Sequence, residues 1–218
     1  TVPIFIKFFL VQTFLNLNTD DKNILISNEN SLAIKLLENK YKYSIIIGPK
    51  KSGKTFLANK FSDINEANII NSIPSNLKFK NNTFLDLNKL PFNEESFFHF
   101  LQYFISNDIG LTIFTISDPL QVDNSSLAIP DTISRLKSFN IASIENPKDD
   151  LLFKLIEKFL KFRSISVSSD IIKGVMAYIG RTYIDAYDAS ETINYLLYQN
   201  NHNINLSLIR QHYEQLQR

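Results

Sequence analysis

One motif constrains this chain more than any other: Gly48-Pro49-Lys50-Lys51-Ser52-Gly53-Lys54-Thr55 matches G-x-x-x-x-G-K-[ST] in full. The β-branched run Tyr43–Ile47 precedes it and residues 52–61 follow with helical spacing, so the motif turns a strand into a helix. Gly48 and Gly53 let the backbone curl until successive N–H groups face one anion, and the helix adds its positive N-terminus. In such a loop Lys54 neutralises the β and γ phosphates of a nucleotide, and the Thr55 hydroxyl ligates Mg2+. Chance produces the match in roughly one chain of this composition in a thousand, and the plain alternative is a lysine-rich surface turn.

A loop of this kind works with a second carboxylate that holds the metal through water, usually at the end of a neighbouring buried strand. Asp86 fits, because it ends the apolar run Thr83-Phe84-Leu85; its alternative is an ordinary turn aspartate. Thr55 and Asp86 are thus the expected metal-binding residues. Hydrolytic proteins with such loops commonly carry a water-polarising acid immediately after this aspartate, and here that position is Leu87. Slow or partner-dependent hydrolysis is the expectation. Glu94 and Glu95 read instead as the acidic first turn of a helix.

Periodicity predicts a helix over residues 30–39, a strand over 83–87, a helix over 93–105 and a strand over 111–117. Strands alternating with helices imply a parallel sheet covered on both faces, an α/β domain. After Pro147 the character changes. Leu151, Leu152, Leu155, Ile156, Phe159 and Leu160 form one helical stripe, and Ile171, Ile172, Val175, Met176 and Ile179 form another, closed by Gly180. Further helices fit residues 182–199 and 206–216. The expected organisation is an N-terminal segment over 1–22, an α/β nucleotide-binding domain over 23–146 and a small all-helical domain over 147–218.

Composition removes several functions. With 23 Lys plus Arg against 22 Asp plus Glu in 218 residues, no overall basic field draws the protein onto nucleic acid. The chain has no cysteine, which excludes disulfides, thiolate metal sites and a thiol nucleophile, and a reducing cytoplasm is the natural compartment. Residues 1–17 are apolar, but Lys7, Gln12 and Asn16 interrupt them short of the ~20 residues a membrane span needs, so neither an anchor nor a signal peptide is expected. His99, His202 and His212 show no metal-ligand spacing. Tyr178, Tyr183, Tyr187 and Tyr195 recur at roughly helical spacing and read as core of the helical domain, while Lys154, Lys158 and Lys161 read as its solvated face.

The order of elements resembles the AAA+ ATPases, in particular the branch of the replication initiator DnaA and its regulatory relative Hda. The residues that carry the likeness are Ile26-Ser27-Asn28-Glu29-Asn30-Ser31-Leu32-Ala33 before the phosphate loop, Phe97-Phe98-His99-Phe100 in the helix after Asp86, Ile129-Pro130-Asp131-Thr132-Ile133-Ser134-Arg135-Leu136 against an L-P-D-x-x-S-R-[LF] box, and Asn146-Pro147-Lys148-Asp149-Asp150-Leu151-Leu152 at the start of a helical lid.

The resemblance implies that Arg135 is an arginine finger acting in trans on the nucleotide of a neighbouring subunit, and that Ser117 is a sensor polar residue at the end of a strand. The alternatives are a surface arginine and a simple strand-end serine. The family's lid arginine falls near Ile184 or Asp185 in this chain, and Arg181 replaces it only by shifting to another helix face. Gln12, Leu15 and Leu17 resemble the Q-x-x-L-x-L motif by which Hda-like proteins bind the sliding clamp, with an ordinary core-packing strand as the alternative. The expected function is therefore Hda-like: an ADP- or ATP-binding regulator that uses Mg2+, docks on the clamp and promotes hydrolysis of DnaA-bound ATP. Homo-oligomers fit this expectation. The initiator itself needs a further helix-turn-helix domain of roughly a hundred residues after the lid, so sequence-specific DNA binding is not expected. A degenerate nucleotide-binding adaptor and an active ATPase of the helicase-loader type are the other readings.

Overall fold

In the computed structural model, which describes residues 24–87, 93–120 and 130–216, β1 (Tyr43–Ile47) pairs in parallel with strands on both its sides. Its partners are β4 (Leu111–Thr115) and β5 (Asn140–Ser143). Outside β4 lie β3 (Thr83–Asp86) and β2 (Asn68–Ile70), giving the order β2-β3-β4-β1-β5. Strands paired on both edges and covered on both faces tend to near-continuous apolar runs, and β4, Leu-Thr-Ile-Phe-Thr, is buried along its whole length.

Alternation along the strands divides the core in two. Ile46, Phe84, Phe114 and Ala142 face α1 (Ser31–Glu38) and α2 (Lys54–Asn65). Ile45, Leu85 and Ile113 face Phe97, Phe100, Leu101 and Phe104 of α3 (Glu94–Ser106) and Leu136 of α4 (Pro130–Leu136). Asn93 caps α3 by accepting from the Ser96 N–H, and Glu94 and Glu95 occupy its first turn.

After Pro147 the chain is helical: α5 (Asp149–Phe162), α6 (Ser169–Met176), α7 (Tyr183–Gln199) and α8 (Leu206–Leu216). Leu152, Ile156 and Leu160 of α5 meet Ala186, Ala189 and Ile193 of α7 in a third buried cluster. A capping box starts α7, with Thr182 and Asp185 exchanging hydrogen bonds.

The α/β expectation holds, with differences of detail. β2 and β5 are additional strands, and residues 130–136 of the Ser-Arg-Leu box form a helix. Helix α2 begins at Lys54 and not at Ser52, because Gly53 is its left-handed cap. Helix α6 stops at Met176, short of Gly180, and the space a Gly180 side chain would need is filled by the Asp185 carboxylate. The tyrosines divide: Tyr183 is core, whereas Tyr178 and Tyr195 are 39% and 40% exposed. The expected clamp-binding residues Gln12, Leu15 and Leu17 lie outside the described residues, with the whole N-terminal segment over 1–22. Among the described residues no helix is long and apolar enough to cross a membrane.

Candidate nucleotide site

The phosphate loop leaves the C-terminal end of β1 between its two neighbours. The Gly48 N–H extends the ladder by donating to the Thr115 carbonyl at 3.0 Å. A Cβ at Gly48 would stand 2.8 Å from Ser52 Oγ and 3.0 Å from Ile144 Cβ, so the turn has no room for a side chain there. Lys51 and Gly53 both take left-handed backbone, at φ 61° and 87°, and this curls the loop into the N-terminus of α2.

Lys54 is only 7% exposed, and its Nζ donates to the carbonyls of Gly48 at 2.7 Å and Pro49 at 2.8 Å. Burial pushes its pKa below the ordinary lysine value, opposed in part by the Asp86 charge. Thr55 Oγ1 donates to Asp86 Oδ2 at 2.5 Å, joining the first turn of α2 to the last residue of β3. A hydroxyl beside a carboxylate is the hard oxygen set Mg2+ prefers. Ser52 Oγ is buried without a hydrogen-bond partner. A buried ammonium held only by carbonyls, an unpartnered hydroxyl and a hydroxyl–carboxylate pair fit a phosphate chain with its metal.

These residues open onto a cleft of about 920 Å³ whose walls include Lys50, Lys51, Lys54, Asp86, Ile116 and Tyr187. A second pocket, of about 260 Å³, adjoins it through Lys51, Ser52 and Gly53 and is mainly apolar, with Ile24, Leu25, Phe56, Leu155, Phe159 and Tyr183 in its walls. Its size and lining suit a planar base. Asn30 holds one wall: its Nδ2 donates to the Leu25 carbonyl at 2.7 Å and its Oδ1 accepts from the Ser27 N–H at 2.9 Å. Sequence reasoning singled out the segment around Asn30 without seeing this pocket. Phe56, an exposed apolar residue in the first turn of α2, belongs to it, but Ile64 is exposed on the same helix, so exposure alone does not single the pocket out.

Among the described residues of the lid, no arginine lines the cleft. Arg181 Nε pairs with Asp149 at 2.8 Å, and its Nη1 caps the carbonyls of Met176 and Ile179. Asp185 is committed to the capping box, and Ile184 is exposed. The lid side chains at the cleft are Phe159 and Tyr187. Leu87 is buried in the sheet–α3 core with its N–H donating to Phe114 O at 2.8 Å, so no acid follows Asp86.

Ser117 is exposed, and its carbonyl accepts from Thr115 Oγ1 at 3.2 Å; the cleft wall at that strand end is Ile116. Arg135 lies on α4 away from this chain's own cleft lining, with its guanidinium carbon 5.1 Å from the centre of the Phe98 ring and its Nε shielded without a partner. The histidines form no metal site among the described residues.

No protein-family profile and no curated protein matches the chain. Solved structures do. Domain III of the replication initiation protein DnaA from Thermotoga maritima is similar with a TM-score of 0.67 at 13% identity, over 88% of this chain and 95% of that one. AMPPCP-bound DnaA from Aquifex aeolicus gives 0.62 at 15% identity, over 83% of this chain and 66% of that one, and the Thermotoga maritima RuvB Holliday junction branch migration motor gives 0.64 at 15% over 87% and 69%. This chain thus spans about two thirds of the Aquifex DnaA chain. The five-stranded parallel sheet with its helical C-terminal region is the fold of AAA+ P-loop domains.

Proposed function

We propose that this chain is an adenine-nucleotide-binding AAA+ regulator of replication initiation, of the Hda kind. The observation that carries the reading is the loop itself: Lys54 buried against Gly48 and Pro49, with Thr55 bonded to Asp86 beside an apolar pocket sized for a base. In this reading the loop N–H groups and Lys54 hold the phosphates of ADP or ATP, Thr55 and Asp86 hold Mg2+, and the base lies among Leu25, Phe56 and Tyr183. The metal, when bound, supplies charge neutralisation at the phosphates.

The lid and the residue after Asp86 favour a nucleotide that is held rather than turned over. Among the described residues, neither an acid at position 87, where Leu87 is buried, nor a lid arginine lines the cleft to polarise water or to stabilise developing charge. Arg135 then works outward as a finger on a neighbouring subunit's nucleotide, with DnaA as the partner, and Ser117, next in sequence to the cleft-lining Ile116, is the sensor residue. Gln12, Leu15 and Leu17 bring the protein to the sliding clamp, in the cytoplasm. Self-association through the same geometry is part of this reading.

The test is ATP hydrolysis by purified DnaA in the presence of DNA-loaded clamp, with and without this protein. Stimulation that disappears with Arg135→Ala supports the regulator. Nucleotide binding without stimulation makes the chain an adaptor, and strong turnover by the isolated protein makes it an ATPase of the loader type.

A further inference from the structure

The phosphate loop meets the lid where a lysine ammonium faces an aromatic ring. Lys51 Nζ lies 3.5 Å from the centre of the Tyr187 ring, and both residues line the cleft beside Lys54. A cation over an aromatic face is attracted by the ring's negative quadrupole, most strongly where water is limited. Tyr187 is itself held in a rigid setting: Phe159 meets it edge-on at 5.7 Å, and the Arg163 guanidinium lies 5.5 Å from its centre. Arg163 is fixed in turn by an ion pair with Glu191 and by donating to the Phe159 carbonyl and Ser190 Oγ. Lys51, by contrast, sits on left-handed backbone at φ 61° in the loop. Residues other than glycine keep such backbone where the surroundings hold them in it, and among the described residues the Tyr187 ring is a contact of the Lys51 ammonium.

Neither Arg181, bound to Asp149, nor the exposed Ile184 brings a cation to the cleft, and Asp185 is held in the capping box. Tyr187, one turn further along α7, is the residue that meets the loop. We propose that Lys51 and Tyr187 form a loop-to-lid clamp, in which Tyr187 is a positioning residue: its ring seats the lid over the apolar pocket and holds Lys51 at the edge of the phosphate cleft. The clamp joins the two halves of the site, because Lys51 lines both the cleft and the apolar pocket. Its role rests on the nucleotide-binding reading given above.

A double-mutant cycle of Lys51→Met and Tyr187→Leu tests it, read twice: by urea unfolding without nucleotide, and by the dissociation constant for ADP. Tyr187→Phe, which keeps the ring, should stay within about twofold of wild type in ADP affinity. The cycle should show coupling in ADP affinity of about twofold to thirtyfold, the range of a cation–ring contact, together with coupling in the unfolding midpoint. Additive effects in both readouts overturn the clamp. Coupling in unfolding with additivity in ADP affinity leaves only a structural contact and overturns the positioning role, as does Tyr187→Phe behaving like Tyr187→Leu. Wild-type protein that binds no ADP overturns the nucleotide reading, and the positioning role falls with it even where the unfolding cycle is coupled.

Discussion

Thr55 Oγ1 and Asp86 Oδ2 lie 2.5 Å apart although 31 positions separate them in the chain. The bond ties the start of α2 to the end of β3, and it exists because the sheet order places β3 one strand away from β1, on the far side of β4. A hydroxyl poised on a carboxylate beside a phosphate loop gives a magnesium ion two oxygen partners without rebuilding the backbone.

Asp86→Asn is expected to separate metal from nucleotide. ADP affinity without Mg2+ should stay within a fewfold of wild type, while the gain on adding Mg2+ should shrink by about tenfold or more, the usual cost of losing a residue that holds a metal through its shell. Calorimetric titration of ADP with and without Mg2+ reads both quantities.

Intrinsic ATP turnover should fall far below the ~1–100 s⁻¹ of ordinary phosphoryl-transfer enzymes. Ile184 is exposed at the start of α7, so Ile184→Arg should fold normally and restore a lid cation. A well-placed arginine is worth ~10³-fold or more, and even an imperfectly placed one should raise turnover at least tenfold. Steady-state phosphate release from the two proteins checks this. Wild-type turnover in the ordinary range contradicts it.

Tyr183 links the lid to the segment between β5 and α5, its hydroxyl donating to the Glu145 carbonyl at 3.1 Å. Burial, with a smaller contribution from Glu29, pushes its pKa from 10.0 to about 12. A raised folded pKa means that the folded state retains the proton longer than the unfolded chain does. The associated stability is complete below pH 10.0 and is lost as pH climbs through about 12. Tyr183→Phe should lower the unfolding midpoint at pH 8 by the loss of one buried hydrogen bond, about 1 kcal/mol, and flatten the decline above pH 10. Urea unfolding across that pH range measures both.

What could be seen in the sequence was whatever repeats or recurs locally. β1, α1 and α5 stand out because their apolar residues follow one period over several turns or one continuous run. β5 does not: in Asn140–Ser143 only Ala142 is buried, and Ile141 faces outward, so no period forms. β2 has three residues and no room for alternation. α4 has no apolar stripe: residue likeness marked its box, but nothing in the patterning announced a helix there. The phosphate loop is contiguous and therefore legible, as is the absence of an acid at Leu87. The apolar pocket is assembled from Leu25, Phe56, Leu155 and Tyr183, which meet only when the lid packs, and no local pattern announces that. Tyr187 shows the same limit: its spacing places it on α7, whereas its contact with Lys51 is a property of the folded pair.

The clamp motif predicts behaviour separable from the folded core. Burying a leucine contributes about 1.5–3 kcal/mol, so Leu15→Ala with Leu17→Ala should weaken clamp binding by at least tenfold. The melting temperature of the same variant should be unchanged. A lowered melting temperature with clamp affinity retained makes the two leucines core residues and removes the clamp as partner.

The central claim is that the loop from Gly48 to Thr55 binds a nucleotide through Lys54, and titration calorimetry of ADP into the wild type and Lys54→Ala tests it most directly. Lys54 is the buried point charge of the loop, held by two carbonyls that phosphate oxygens would replace as its partners. The wild type should bind one ADP per chain, and Lys54→Ala should show no measurable heat. Equal ADP affinity in the two proteins, or none in the wild type, would contradict the account.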